Sequence, residues 1–354
     1  MKNEKEDLSS LLLCIPFVII AVCMIFYFVQ PFIGANPEQV EKTQEVVLPE
    51  KQTVATVSKM EKTQTVQPPL NKYNYSFKYD IKVSGTLKKL TFTMYVPQSE
   101  QLRQYTSISN LSKQPDRYYK TDKGTIAEYN FHNISDTTIT VSFDGKLKTN
   151  PYDLKNAKKV NYNMFPENDL SKYLLAEKLI ESNDEYIKRI ANSINGSSQE
   201  EIVGKIFRYV QGNIKYTITP NIGARQALMI KKGKCTEYAA AMVALCRAKG
   251  IPARTVTGNF MRNKDSAHAW VEVYYKEYGW VTYDPTVFNS RIVYKNKKTG
   301  KVLKVVNKLN PAVAQSDYII LSRNELAQRL VGFEYSADKQ GTAQIVTSFA
   351  VEKM

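Results

Sequence analysis

Residues 231–290 read KKGKCTEYAAAMVALCRAKGIPARTVTGNFMRNKDSAHAWVEVYYKEYGWVTYDPTVFNS. From Thr236 to Lys249 this stretch is alanine-rich and apolar, the pattern of a buried helix, and Gly250 and Pro252 stop it. Cys235 falls at the start of that helix, where unpaired backbone N–H groups and the macrodipole favour negative charge. Lys231, Lys232 and Lys234 add positive charge beside it, and Gly233 admits a tight turn into the helix. These are the surroundings of a reactive thiolate. Cys246 lies eleven residues on, about 16 Å along the same helix at ~1.5 Å per residue, too far for a disulfide to Cys235. Its place inside the apolar run marks it as an inert core residue.

Downstream, Ala267–Tyr275 alternates as a strand with His268, Trp270, Glu272 and Tyr274 on one face. A turn around Lys276–Gly279 leads into Trp280–Asp284. A hairpin centred near Lys276 sets Asp284 across from His268 on the same face, where a carboxylate holds an imidazole in one tautomer and supports its charged form. A slip of one residue would put the two on opposite faces. Pro285 ends the strand just past the acid. Taken singly, a histidine on a strand reads as structural and Asp-Pro as a turn. A cysteine at a helix start followed by a facing His/Asp hairpin points instead to nucleophilic chemistry.

Upstream, Tyr73, Tyr75, Phe77, Tyr79, Ile81 and Val83 alternate with polar residues. Leu90, Phe92, Met94 and Val96 repeat the pattern up to Pro97, and Ile139, Val141 and Phe143 do so before the turn dipeptide Asp144-Gly145. The reading is an antiparallel sandwich-like domain over 73–150, with His132 structural. Near residue 165 the period becomes helical. One helix carries Tyr186, Ile187, Ile190, Ala191 and Ile194, and a second opens at Ser198 with Glu201 as a capping box. After the core, Arg291 to Lys308 holds seven basic residues and no acidic one. It reads as a basic hairpin beside the site: an exposed edge kept soluble by lysine, a recruiter of anionic wall polymer, or a presenter of acceptor lysines. Tyr318–Leu321 adds one last strand, and residues 326–354 are left as a C-terminal extension.

Residues 11–29 hold 19 residues without a charge; as a helix they span roughly 28 Å, the thickness of a bilayer's hydrocarbon core. Lys2 and Lys5 precede the run and the next basic residue is Lys42, so residues 1–10 read as a cytoplasmic tail and the rest as extracytoplasmic. The rival reading is a cleaved signal peptide with Ile33-Gly34-Ala35 as the cleavage candidate and a secreted product. Residues 30–70, where Glu-Lys-Thr-Gln occurs at 41–44 and again at 61–64, form a flexible linker.

Net charge is +15, and the first 70 residues are slightly acidic, so the excess lies in the outer domains. Such a surface attracts anionic cell-envelope polymers or phospholipid headgroups, although a lysine-rich solvated surface is the plainer reading. No nucleic-acid motif accompanies the charge. Four cysteines exclude a disulfide scaffold, and two histidines without a Cys-x-x-Cys pair exclude the usual zinc sites. No phosphate loop or strand-linked GxGxxG is present, which excludes the common nucleotide chemistries.

Gly233-x-Cys235, Arg247-Ala-x-Gly250-Ile-Pro-Ala-Arg254, His268-Ala-Trp-Val-Glu-Val and Trp280-Val-x-x-Asp284-Pro-Thr286 resemble the motifs of the transglutaminase-like superfamily. The specific match lies within 231–290; the preceding helices and Tyr216 extend it loosely to 165–290. The resemblance implies an α+β fold, a papain-like core over 165–325 preceded by the β-rich domain and the transmembrane helix. It implies a triad in which Cys235 is nucleophile, His268 general base and then acid, and Asp284 the orienting group. The implied chemistry is acyl transfer on protein or peptide amides through a thioester, ending on an amine (cross-linking) or on water (amidase or peptidase), without a cofactor. A triad-bearing but inactive module that binds surface proteins or wall polymers is the reading from another class. Animal members stabilise the oxyanion with a tryptophan upstream of the cysteine. Here Trp270 and Trp280 both lie downstream, so the Cys235 N–H with a side chain such as Tyr216 is the candidate. No acidic cluster resembles the calcium sites of those enzymes, and metal independence is expected.

Overall fold

Alternating aromatic and polar residues build β1 (Asn71–Val96), a strand of 26 residues, in the computed structural model. The structure describes residues 71–354 except 101–102, 151, 159–168, 262–266, 287–289, 296–301, 309–317, 325–329 and 338–340. The tail 1–10, the apolar run 11–29 and the linker 30–70 lie outside the described residues. Among the described residues no helix is long and apolar enough to cross a membrane. All of them fall in one compact unit, Gln44–Met354.

Up to Val83 the odd positions of β1 are buried, and from Leu90 the even positions are. Leu87, an odd position beyond the register shift at Val83–Thr86 and Gly85 (φ +73°), is still buried. The inversion therefore falls between Leu87 and Leu90, where the pairing of β1 with residues 331–337 shifts register between Leu87 and Lys89 and one extra residue turns the later side chains to the other face. β2 (Gln104–Leu111) and β3 (Arg117–Lys120) line one edge of β4 (Thr125–Thr149), which pairs with β1 along its whole length. The two arms of β1 share one apolar core, where Phe77 stacks on Phe143 at 5.2 Å and Tyr79 meets Phe92 at 5.4 Å. One sheet bent over its own core thus takes the place of two separate sheets. Asp144-Gly145, expected as a turn, lies inside β4. The Tyr75 ring covers Gly145, where a Cβ would come within 2.4 Å of it.

The helical half follows. Asp184 caps α1 (Glu185–Ser193) by accepting from the Tyr186 N–H at 2.9 Å. Ser198 caps α2 (Gln199–Asn213) by accepting from the Glu201 N–H at 3.2 Å, while the Glu201 carboxylate reaches back to Ser197. Then come β5 (Lys215–Tyr216), α3 (Gly223–Ile230), β6 (Lys232–Gly233) and α4 (Cys235–Ala248). Every residue of α4 from Cys235 to Arg247 is buried, and its alanines let α1, α2, α3 and the sheet approach from all sides. That sheet contains β7 (Ala253–Phe260), β8 (Ala267–Tyr275) and β9 (Gly279–Tyr283). β10 (Ser290–Lys295) and β11 (Val302–Lys308) pair with each other, and β12 (Tyr318–Arg323) completes the order β12-β7-β8-β9. β13 (Val331–Ala337) and β14 (Thr342–Lys353) return to the first sheet and pair with β1.

A buried charge cluster joins the two halves. Glu272 on β8 is 0% exposed and receives Arg254 Nε at 2.8 Å, Arg323 Nε at 2.9 Å and Arg103 Nη1 at 3.5 Å. Arg323 also pairs with Glu100, Arg103 donates to the Trp280 carbonyl, and the Arg254 guanidinium lies 3.9 Å from the centre of the Trp280 ring. Burial alone would push Glu272 up; the three guanidinium groups outweigh it and hold the carboxyl well below the usual range. Its stabilising contribution is therefore present above the unfolded value near 4.5 and is lost as pH falls through the lower folded value. Glu272→Gln is expected to cost about 3–5 kcal/mol at pH 7. Urea unfolding should show that gap narrowing below the unfolded value; a gap that stays constant into the acid range contradicts the assignment.

Candidate active site

The site forms where the N-terminus of α4 meets the start of β8. One face of β8 (Ala269, Val271, Val273 and Tyr275) packs into the core that contains α4. This packing brings the thiol of Cys235, 7% exposed, within hydrogen-bonding reach of the His268 imidazole. His268 Nε2 bonds Asp284 Oδ2 at 2.7 Å, which leaves Nδ1 as the nitrogen available to the thiol. Cys235, His268 and Asp284 are thus adjacent.

The pairing differs in detail from the sequence expectation. Tyr275 opposes Gly279 and Val271 opposes Tyr283, so the hairpin is centred on Glu277 rather than Lys276. Continuing that register sets Asp284 opposite Trp270 and diagonal to His268. A loop of three residues, Lys276–Tyr278, closed by Gly279 at φ +67°, explains the difference. The displacement amounts to a whole side-chain period, so the shared face survives.

Asp284 is 6% exposed and accepts four hydrogen bonds. Oδ2 takes His268 Nε2 and the Tyr318 hydroxyl at 2.6 Å; Oδ1 takes the Thr286 N–H at 2.9 Å and its hydroxyl at 2.6 Å. Tyr318 also stacks on His268, 8° from parallel at 5.9 Å, and on Trp270 at 4.7 Å. β12 reaches this position only because Gly258, the partner of His268 on β7, lacks a Cβ, which would lie 1.9 Å from the Ile319 carbonyl oxygen.

Burial raises the Asp284 carboxyl, and the His268 charge with these hydrogen bonds outweighs it and lowers the group. For His268 burial disfavours the imidazolium, but the Asp284 carboxylate and the Cys235 thiol overcome it and raise the ring to about 10. The stabilisation this confers is complete below the unfolded value near 6.5 and is lost as pH rises through about 10.

Tyr216, at the end of β5, is 55% exposed, and its hydroxyl accepts from the backbone N–H of Cys235. Burial raises its phenol, the charges of Cys235 and Asp284 add to this, and the Cys235 N–H opposes it. Tyr216 is therefore a neutral hydroxyl beside the N–H expected to face an oxyanion. Glu237 is buried and accepts from the Lys234 N–H at 3.1 Å and the Thr236 hydroxyl at 3.0 Å, which pins β6 to the first turn of α4.

Cys246 lies in the core, and burial pushes its thiol up to about 12. His132 is exposed on β4 opposite Lys89 and does not join the site. Among the described residues no group of three or more His, Cys, Asp and Glu is placed to hold a metal ion. The sequence reading missed Tyr318, Gly258 and Glu237. Glu237 alone left a local trace, as a glutamate in the first turn of a helix.

With His132→Gln leaving a single histidine, the C2 proton of His268 is expected to titrate near 10. With Asp284→Asn it should move down toward the ordinary histidine range. A midpoint already in that range with Asp284 intact contradicts the ion pair.

Residues 188–285 match the family described as Transglutaminase-like superfamily. Over 71 residues the chain is 41% identical to the uncharacterized protein YebA of Bacillus subtilis, covering 16% of this chain and 10% of that one. Over 67 residues it is 42% identical to a protein-glutamine gamma-glutamyltransferase of Pseudomonas aeruginosa, covering 16% and 10%. The chain thus spans about a tenth of the length of the curated relatives it matches. Its fold is similar to that of a candidate cysteine protease from Cytophaga hutchinsonii, with a TM-score of 0.52 at 14% identity over 80% of this chain and 98% of that one.

Proposed function

From residues 188–285, which belong to the transglutaminase-like superfamily, we propose that the chain is an extracytoplasmic thiol enzyme that transfers acyl groups from protein or peptide amides. The observation that most supports this reading is the adjacency of the Cys235 thiol to an imidazole whose far nitrogen is bonded to a buried carboxylate at 2.7 Å. Residues 11–29 tether the enzyme to the membrane, with 1–10 inside, on the strength of where Lys2 and Lys5 stand.

The thiolate of Cys235 attacks the carbonyl carbon of a carboxamide. The oxyanion is held by the Cys235 N–H and by the Tyr216 hydroxyl once it turns from accepting to donating. The C–N bond breaks as imidazolium His268 gives its proton to the departing ammonia, and a thioester remains. An amine then attacks the thioester and passes a proton to His268, the C–S bond breaks to release the new amide, and the thiolate–imidazolium pair is regenerated. Asp284 keeps the ring oriented and favours its charged form throughout. With water as acceptor the same steps give hydrolysis. The likeness to a glutamine gamma-glutamyltransferase favours the amine.

Iodoacetamide at pH 6 is expected to alkylate Cys235 at least about tenfold faster than a free thiol, and His268→Ala to remove the advantage. The full chain should also incorporate a labelled primary amine into a glutamine-bearing protein, and Cys235→Ala should abolish this. Equal alkylation rates in both proteins contradict the activated thiol. Ammonia release without incorporated amine contradicts transfer in favour of hydrolysis.

A further inference from the structure

β5 and β6 form a short parallel ribbon running into the thiol. Lys215 opposes Lys232 and Tyr216 opposes Gly233, and the N–H groups of Lys215 and Thr217 donate to the carbonyls of Lys231 and Gly233, each at 2.9 Å. Lys215, Lys231 and Lys232 are exposed and Lys234 is half-buried next to Cys235. Like charges directly opposite one another destabilise a strand pair, yet no acidic side chain pairs with any of the four among the described residues. The carboxylate closest in sequence, Glu237, is buried and committed to the Lys234 and Ile222 N–H groups and to the hydroxyls of Thr219 and Thr236. Lys231 also occupies the left-handed position after α3, at φ +57°, where glycine is the usual residue.

The same ribbon presents apolar surface and free backbone. Tyr216 is 55% exposed and Ile218 88% exposed. Because the ladder uses the N–H groups of the residues on either side, the N–H and C=O of Tyr216 point to the open edge of β5. Positive charge without a counter-charge, an apolar rim and an open strand edge thus meet beside one reactive sulfur.

We propose that the β5–β6 ribbon is the docking site of the acyl donor and that it selects an extended acidic peptide segment. The donor's main chain pairs with the Tyr216 edge, its carboxylates lie among Lys215, Lys231, Lys232 and Lys234, and an apolar side chain covers Ile218. An anionic polysaccharide would satisfy the lysines but has no peptide backbone for the edge and no carboxamide for Cys235. The inference rests on Cys235 being the nucleophile of an amide-directed enzyme.

Two glutamine peptides of equal length, one flanked by Glu and Asp and one by Lys, with a labelled amine as acceptor, test it on the full chain. The acidic peptide is expected to have a kcat/KM about tenfold higher at low ionic strength, and added salt should narrow the difference. Lys215→Glu with Lys232→Glu should abolish or invert the preference. Alkylation by uncharged iodoacetamide, measured in parallel, separates loss of docking from loss of thiolate. Equal kcat/KM values, or a preference that survives both substitutions, overturn the proposal. Fluorescence anisotropy of the labelled acidic peptide on Cys235→Ala reads docking without turnover. Binding there with no transfer by the intact chain upholds the docking site and refutes the catalytic reading. Binding of dextran sulfate with none of the acidic peptide overturns the inference in favour of a polymer.

Discussion

The hydrogen bond from His268 to Asp284 is the constraint on which the site depends. An imidazole at the start of an antiparallel strand has free rotation about two bonds and an ordinary affinity for protons. A buried carboxylate 2.7 Å from Nε2 removes both freedoms at once. It occupies Nε2, which leaves Nδ1 for the thiol, and raises the ring to about 10 against the opposing effect of burial. A carboxylate can do this at 6% exposure only if its own lone pairs are satisfied, and Thr286 and Tyr318 satisfy them. Tyr318 is engaged twice, since its hydroxyl holds Asp284 while its ring lies parallel to His268.

The scaffold places three chain segments within this geometry. α4 is buried on every side, so its first turn cannot shift without disturbing neighbours around its whole circumference. Two residues along β8 from Trp270, Glu272 gathers arginines from β7, β12 and the segment before β2. Removing any one charge would leave others buried without compensation. The cluster therefore fixes β8 against β12, the strand that carries Tyr318, and against the bent sheet. Under the proposed function the β-rich half thereby acts as a brace for the site.

Much of the site was legible because its determinants are local. A cysteine before an alanine-rich run, and a histidine and an aspartate on one face of a hairpin, are patterns of period 3.6 and 2 that need no tertiary information. The exact pairing was not legible, because the turn set the register, and Gly279 rather than the apolar pattern set the turn. What escaped the sequence depends on distant segments. Tyr318 reaches Asp284 from 34 residues away, and Gly258 matters only through the carbonyl of Ile319 on a neighbouring strand. In the β-rich half, Asp144-Gly145 carries the chemistry of a turn, but it is paired with β1 on one side and β2 on the other, and its missing Cβ makes room for the ring of Tyr75. Residues 331–353 gave no signal because much of β13 and β14 faces solvent and their pairing with β1 spans most of the chain.

Mass spectrometry of an acid-quenched reaction reads whether Cys235 carries the acyl group. The full chain is mixed with a glutamine peptide in the absence of an amine, and residues 235–247, which contain both Cys235 and Cys246, are sequenced by fragmentation. The expected adduct is the peptide less ammonia, attached to Cys235, cleaved by hydroxylamine and strongly reduced by Asp284→Asn. An adduct on Cys246, or substrate consumed with Cys235 unmodified at every time point, would contradict Cys235 as the nucleophile held by His268 and Asp284.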